Sequence, residues 1–130
     1  MKKITPQFIV EFIATNNIPF IPTQSRLSIP IISRMCSKME HHVKFGEIKI
    51  CGKLIIDGHH RYLSSLIMNF ELGQVATNLT SATKETPWNQ IEFDENDWDS
   101  AAGIEHLNRL DAEYNKLELE FLRRITSNDE

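Results

Sequence analysis

The sequence predicts a small mixed α+β domain with a long helix at its C-terminal end. The chain has 130 residues, 41% of them hydrophobic, which is enough for one compact domain with one core. Helix-like and strand-like segments alternate along residues 5–80, and a strongly amphipathic stretch fills residues 100–125. We therefore expect one domain over residues 1–83, followed by a connector and a long helix over residues 84–130.

The N-terminal quarter predicts a helix and then an extended segment. Thr5 can cap a helix whose first position is Pro6. The apolar residues of this helix recur on one face, at Phe8, Ile9, Phe12 and Ile13. The prolines of IPFIP, residues 18–22, exclude a regular helix and favour an extended chain. A second helix is predicted to begin after Ser28, because serine can cap it and Pro30 is tolerated in a first turn.

The middle of the chain predicts a hairpin, a third helix and a further strand. Two short β-type runs, residues 45–50 and 53–56, flank Cys51-Gly52, and this favours a hairpin because glycine accepts a positive φ. The continuously apolar Leu54-Ile55-Ile56 indicates an inner strand. Residues 59–72 predict a helix and residues 74–81 another strand. The apolar face of that helix comprises Tyr62, Leu63, Leu66, Ile67 and Phe70.

The C-terminal part predicts one amphipathic helix over residues 100–125. At 1.5 Å per residue such a helix spans about 39 Å, which is longer than a domain this small can cover. Its stripe then either packs on a partner protein or a second subunit, or docks along its own domain. The predicted stripe comprises Ile104, Leu107, Tyr114, Leu117, Phe121 and Ile125.

Composition indicates a cytoplasmic protein with a locally basic region. Two cysteines are too few for a disulfide framework, and no run of about 18 apolar residues or leader-like segment is present, so no membrane association is expected. Residues 1–62 hold nine Lys and Arg against four Asp and Glu, a net charge of +5. Residues 63–130 hold five against fourteen, a net charge of −9. This asymmetry favours a small anionic ligand bound in the basic half over an extended nucleic-acid-binding surface. Ordinary solvated surface charge gives the same pattern.

The stretch LIIDGHHRY, residues 54–62, is the candidate site. A strand that feeds a helix here places free backbone N–H groups and the positive end of the helix dipole at the sheet edge, where anions bind. Gly58 would permit close approach of a phosphate, and Arg61 adds a fork of donors. His59 and His60 can also donate, while Asp57 is placed to cap the helix or to orient an imidazole or a metal-bound water.

These residues resemble the signature turn of the ParB/sulfiredoxin superfamily, G-x-[HR]-R followed by small or apolar helix residues. Gly58, His60 and Arg61 match it, and FGEIKI, residues 45–50, is similar to the strand that precedes the family's hairpin; the likeness spans roughly residues 28–80. The resemblance implies a fold that holds nucleotide phosphates on this turn: CTP, ATP or ADP, with Mg²⁺. It gives Gly58, His59, His60 and Arg61 as the ligand-binding set.

The departures from that family narrow the expected chemistry. Sulfiredoxins need a cysteine where this chain has His59, and no basic recognition helix follows the domain, so neither sulfinic-acid repair nor DNA binding is favoured. Kinases of the fold need a carboxylate to activate the acceptor hydroxyl, for which Glu47 and Glu40 are available. The predicted catalytic set is therefore Asp57, His60 and Glu47.

Two functions of different class remain open at this point. One is a nucleotide- or phosphate-binding domain, with phosphoryl transfer or phosphodiester hydrolysis as the reaction if turnover follows. The other is a non-catalytic binding module, such as an antitoxin, an immunity protein or a regulatory subunit, whose acidic half grips a basic partner. A metal site is not expected, because neighbouring histidines on a helix point about 100° apart and each pair supplies one ligand at most.

Overall fold

The computed structural model describes residues 3–127 and confirms a small mixed α+β domain. The helices are α1 (Pro6–Thr15), α2 (Ile29–Glu40), α3 (His59–Met68), α4 (Ala101–Asn115) and α5 (Leu119–Thr126). The strands are β1 (Arg26–Ser28), β2 (Ile48–Cys51), β3 (Leu54–Asp57), β4 (Gln74–Ala76) and β5 (Glu92–Asp94), and a short 3-10 helix covers Trp88–Gln90. None of the helices within residues 3–127 is long and apolar enough to cross a membrane.

The helix starts follow the sequence closely, with one difference. The Thr5 hydroxyl accepts a hydrogen bond from the Phe8 N–H (3.1 Å), which confirms the predicted cap of α1. Ser28 occupies the N-cap position of α2, but its hydroxyl does not cap the helix. It donates instead to the Asn96 carbonyl (3.0 Å), because Ser28 is buried beside the segment that follows β5 and its hydroxyl needs a partner within the protein.

The central sheet has the order β3-β2-β4. β2 and β3 form the predicted hairpin, whose Gly52 has a φ of 59°, and β4 pairs in parallel with β2. Ile21, in the predicted extended segment, forms a bridge on the other side of β3, so β3 has main-chain partners on both sides at Leu54 and Ile55.

A second, two-stranded sheet joins the two halves of the chain. β5 pairs in parallel with β1, with Leu27 opposite Phe93. β5 was not predicted, because three residues are too few for a period-2 pattern to be detected. Through this pairing and the contact of α5 with α2, residues beyond the predicted boundary at residue 83 pack against residues before it.

The prediction of one helix over residues 100–125 is wrong. α4 ends at Asn115, Lys116 takes a left-handed conformation (φ 56°), and the Leu117 N–H bonds back to the Ala112 carbonyl (2.9 Å), which is a Schellman termination. The chain then reverses so that α5 packs on α4 and buries Leu122 against Val43. The reversal removes the continuous stripe. Its members Leu107, Tyr114 and Leu117 are exposed, while Ile104, Phe121 and Ile125 are half-buried.

Three hydrophobic clusters hold the described residues together. The largest lies between α1, α2 and α3 and includes Ile9, Leu27, Ile32 and Leu63. A second lies between α3 and the central sheet, and a third attaches the α4–α5 pair to the end of α2. The second cluster, formed by Ile48, Ile55 and Tyr62, directly supports the turn that carries the candidate site.

Candidate functional site

The turn between β3 and α3 is built around Gly58. This residue occupies the N-cap position of α3 with a φ of 94°, in the left-handed region that favours glycine. A Cβ at this position would lie 2.7 Å from Cγ2 and 3.2 Å from Cβ of Ile48, and 3.5 Å from Cζ of Arg61. The space beside Gly58 is therefore already filled by the chain itself, and glycine is required here for packing as well as for φ.

The two histidines of the turn are engaged in structural hydrogen bonds. Nε2 of His59 accepts from the Thr23 N–H (2.9 Å), and Nε2 of His60 accepts from the Ser28 N–H (2.8 Å). A ring nitrogen that accepts from a backbone N–H is unprotonated, so in this arrangement both rings are neutral. The rings tie the start of α3 to the extended segment and to β1, and His60 also packs edge-on against Trp98 (5.3 Å between ring centroids).

The environment favours the same neutral state. Burial lowers the pKa of His59 from its ordinary 6.5 to about 4, with a smaller opposing effect of the Asp57 carboxylate. Burial likewise lowers the pKa of His60 to about 4; His59 contributes in the same direction and Asp99 opposes. Neither histidine carries a positive charge at pH 7, and the Nε2 atom of each ring accepts a backbone N–H, so these atoms do not make the donation to an anion that was expected of His59 and His60.

Arg61 is the charged group that the fold places at the turn. Its Nη1 donates to the carbonyls of Gly46 (3.0 Å) and Glu47 (2.8 Å), which fixes the guanidinium across the start of β2. No acceptor for Nε or Nη2 occurs among residues 3–127, and no carboxylate in that range lies within 4.0 Å of the guanidinium. The ion pair with Asp57 that would make Arg61 a purely structural residue is thus not formed.

No hydrogen bond joins the predicted catalytic carboxylates, Asp57 and Glu47, to each other in the described part of the chain. Asp57 is exposed and its carboxylate has no hydrogen-bond partner among the described residues. The Glu47 side chain lies over Gly73, where an added Cβ would be 2.8 Å from its Cγ, so it is directed toward β4. No hydrogen bond joins the side chains of Asp57, His60 and Glu47 within the described range. The catalytic assignment of these three residues stays a prediction.

A hollow of about 230 Å³ adjoins Arg61 and contains charged residues that sequence reasoning missed. Arg34 and Lys38 line it together with Arg61, and both belong to α2. Each of the two is buried and paired, Arg34 with Asp97 and Asp99, and Lys38 with Asp111. Their spacing of four residues on a largely apolar helix was the available signal. These pairs leave Arg61 as the cation of the hollow without a carboxylate partner among residues 3–127.

No group of three or more His, Cys, Asp or Glu side chains with metal-binding geometry occurs in the part of the chain that the structure describes. Comparison with known proteins adds no assignment, since no family model, no curated protein and no solved structure matches this chain. The likeness to the ParB/sulfiredoxin superfamily therefore rests on the sequence alone, on Gly58, His60 and Arg61 and on the order of the strand, hairpin and helix around them, and it stays a prediction.

Proposed function

We propose that this protein binds the phosphate group of a nucleotide at the first turn of α3. The observation that carries the proposal is the position of Arg61: a guanidinium without a carboxylate partner among the described residues, held beside Gly58 at the positive end of its own helix. A cation at this end of a helix is unfavourable on its own. A bound anion would interact favourably with both the positive end of the helix dipole and the charge of the guanidinium.

The backbone supplies further donors at the same place. The first hydrogen bond within α3 runs from the Tyr62 N–H to the Gly58 carbonyl (2.8 Å), so the N–H groups of the three preceding residues have no acceptor in the helix. These groups and the unoccupied nitrogens of Arg61 form a set of donors that suits phosphate oxygens. The exposed Asp57 carboxylate opposes an anion here, which favours a ligand that arrives with Mg²⁺.

The histidines act in this proposal as positioning residues. Their Nε2 atoms hold the turn against Thr23 and Ser28, so they fix the helix N-terminus and do not transfer protons. The proposed activity is accordingly binding of ATP, ADP or CTP, as the resemblance implies, without acid–base catalysis by His60.

Calorimetric titration with ATP, ADP, CTP and inorganic phosphate, each with and without Mg²⁺, tests the proposal. Arg61→Ala should weaken binding by about one to two orders of magnitude, because it removes a charge-assisted donor worth about 1.5 to 3 kcal/mol. Arg124→Ala is the matched control, since Arg124 likewise has no carboxylate partner among residues 3–127 and lies on α5 against Phe121. Equal affinities for both variants, or no binding by the unaltered protein, would contradict the proposal.

Arg61→Lys refines the same test. Lysine keeps the positive charge but lacks the planar fork that reaches two carbonyls and a ligand at once. We expect an affinity between those of the unaltered protein and Arg61→Ala. An affinity equal to that of the unaltered protein would mean that charge alone attracts the ligand and that the fixed guanidinium has no part in recognition.

A further inference from the structure

Apolar side chains line much of the hollow of about 230 Å³ beside Arg61. They belong to α2, to α4 and to the segment before β2, and comprise Ile31, Met35, Phe45 and Leu107. The ring of Phe45 is half-buried and packs edge to face against Phe70, with the ring centroids 6.2 Å apart. Sites that enclose a drug-sized molecule measure about 300 to 1,000 Å³, so this hollow suits one flat ring system and not a whole nucleotide.

Most of the charges that line the hollow are paired with one another. Nη2 of Arg34 donates to Oδ2 of Asp99 (3.0 Å), and Nζ of Lys38 donates to Oδ2 of Asp111. Of the cations in the lining, only Arg61 has no carboxylate partner among residues 3–127. The hollow therefore has one cation for an anionic group, and the part of a ligand that enters it beyond Arg61 should be uncharged.

The same ion pairs leave hydrogen-bond acceptors open. Each pair uses Oδ2 of the aspartate, and the Oδ1 atoms of Asp99 and Asp111 have no hydrogen-bond donor in the described part of the chain. An ionised carboxylate accepts hydrogen bonds and cannot donate them. A ring that donates an N–H into the hollow is therefore favoured over one that presents only acceptors.

Asp99 lies close to the first turn of α3 as well as to the hollow. Its carboxylate opposes the lowering of the pKa of His60, the second residue of α3, and the neighbouring Trp98 packs edge-on against the same ring. Arg61 also belongs to both places. It lines the hollow, and its Cζ would be 3.5 Å from a Cβ on Gly58. The turn and the hollow thus share the Arg61 guanidinium.

We propose that the hollow receives the base of the nucleotide and that Asp99 accepts a hydrogen bond from an exocyclic amino group of that base. The apolar walls would cover the faces of the base, and the ring of Phe45 offers a surface for stacking. Adenine and cytosine both carry an amino donor of this kind. Asp99 and Leu107 lie outside residues 28–80, so this recognition is not part of the resemblance. The inference rests on the proposed phosphate site and adds the part of the ligand that is recognised.

Three ligands separate the base from the phosphates in calorimetric titration with Mg²⁺. They are ADP, purine riboside diphosphate, which has hydrogen in place of the amino group, and inorganic pyrophosphate, which has no nucleoside. We expect ADP to bind about tenfold to a hundredfold more tightly than purine riboside diphosphate, because a hydrogen bond to a charged acceptor is lost. Pyrophosphate should bind more weakly than ADP, since it leaves the hollow empty.

Leu107→Trp tests the hollow from the side of the protein. Leu107 is 43% exposed, so a larger side chain can be placed there without disturbing the core, and it should block entry of the base. We expect ADP binding to weaken by about tenfold or more while pyrophosphate binding stays unchanged. Leu110→Trp is the matched control, because Leu110 lies on the same helix, is 49% exposed and does not line the hollow.

The outcomes distinguish this inference from the phosphate site on which it rests. Equal affinities for ADP and pyrophosphate, or for ADP and purine riboside diphosphate, would overturn the inference and leave the phosphate site in place. Equal effects of Leu107→Trp and Leu110→Trp on ADP binding would overturn it as well. If neither pyrophosphate nor ADP binds, the phosphate site is contradicted and the inference is overturned with it.

Discussion

Gly58→Ala tests how tightly the turn is packed. Alanine at this position must adopt a φ of 94°, at a cost of about 1 to 2 kcal/mol for a left-handed conformation. Its Cβ would also lie 2.7 Å from Cγ2 of Ile48, a side chain that is 1% exposed and has no room to move away. Overpacking of this kind costs about 1 to 3 kcal/mol, so the free energy of unfolding should fall by about 2 to 5 kcal/mol in total.

Gly52→Ala provides the comparison for this prediction. Gly52 also has a positive φ, 59°, but an added Cβ there would meet nothing within 4 Å, so only the backbone cost of about 1 to 2 kcal/mol should appear. Urea unfolding followed by circular dichroism measures both losses. In an Ile48→Ala background the loss caused by Gly58→Ala should shrink by about 1 kcal/mol, because the closest atom is gone. Equal losses for the two glycines would refute the close packing described here.

Three further predictions concern pH, the helix break and the α4 attachment. His59 and His60 have pKa values near 4 in the folded protein and ordinary values near 6.5, so the stability that they contribute is present above pH 6.5 and is lost as pH falls toward 4. The free energy of unfolding should fall by about 1.4 kcal/mol per pH unit for each histidine over this range. His60→Gln should halve this slope in urea unfolding at a series of pH values, and an unchanged slope would count against neutral, buried histidines. Lys116→Gly should raise the free energy of unfolding by about 0.5 to 1 kcal/mol in urea unfolding, since glycine suits the left-handed conformation at the end of α4. If residues 100–125 formed one continuous helix, the same substitution would lower it by a similar amount. Asn115→Ala should cost about 1 to 3 kcal/mol because its amide both donates to and accepts from the Lys44 backbone (3.1 and 2.7 Å), and a loss below 0.5 kcal/mol would show that water replaces the amide.

The sequence predicted the elements that are determined locally. α1 and the β2–β3 hairpin follow from a capping threonine, a proline at a first helical position and a glycine in a turn, all of which act within a few residues. The break after Asn115 is different, because lysine has no preference for a left-handed conformation. The break accompanies the burial of Leu122 against Val43, a contact between residues far apart in the chain that no local pattern predicts.

The candidate site shows the same division. The position of the turn and the start of α3 at His59 could be predicted, since Asp-Gly after an apolar run marks the end of a strand. The direction of the histidine rings could not. His59 and His60 bond to backbone N–H groups 36 and 32 residues away, and such partners are fixed only by the packing of β1 and the extended segment on α3. The sequence therefore identified His59 and His60 as site residues, whereas in the fold both rings hold α3 against the backbone of Thr23 and Ser28.

The most direct measurement of the central claim is a titration of the ¹⁵N-labelled protein with ADP and Mg²⁺, followed by backbone amide chemical shifts. If a phosphate binds at the first turn of α3, the largest changes should fall on the amides of His59, His60 and Arg61, which have no acceptor in the helix. In Arg61→Ala the same changes should require about tenfold to a hundredfold more ADP. No saturable change at these three amides, or the largest changes elsewhere in the chain, would contradict the anion site at this turn.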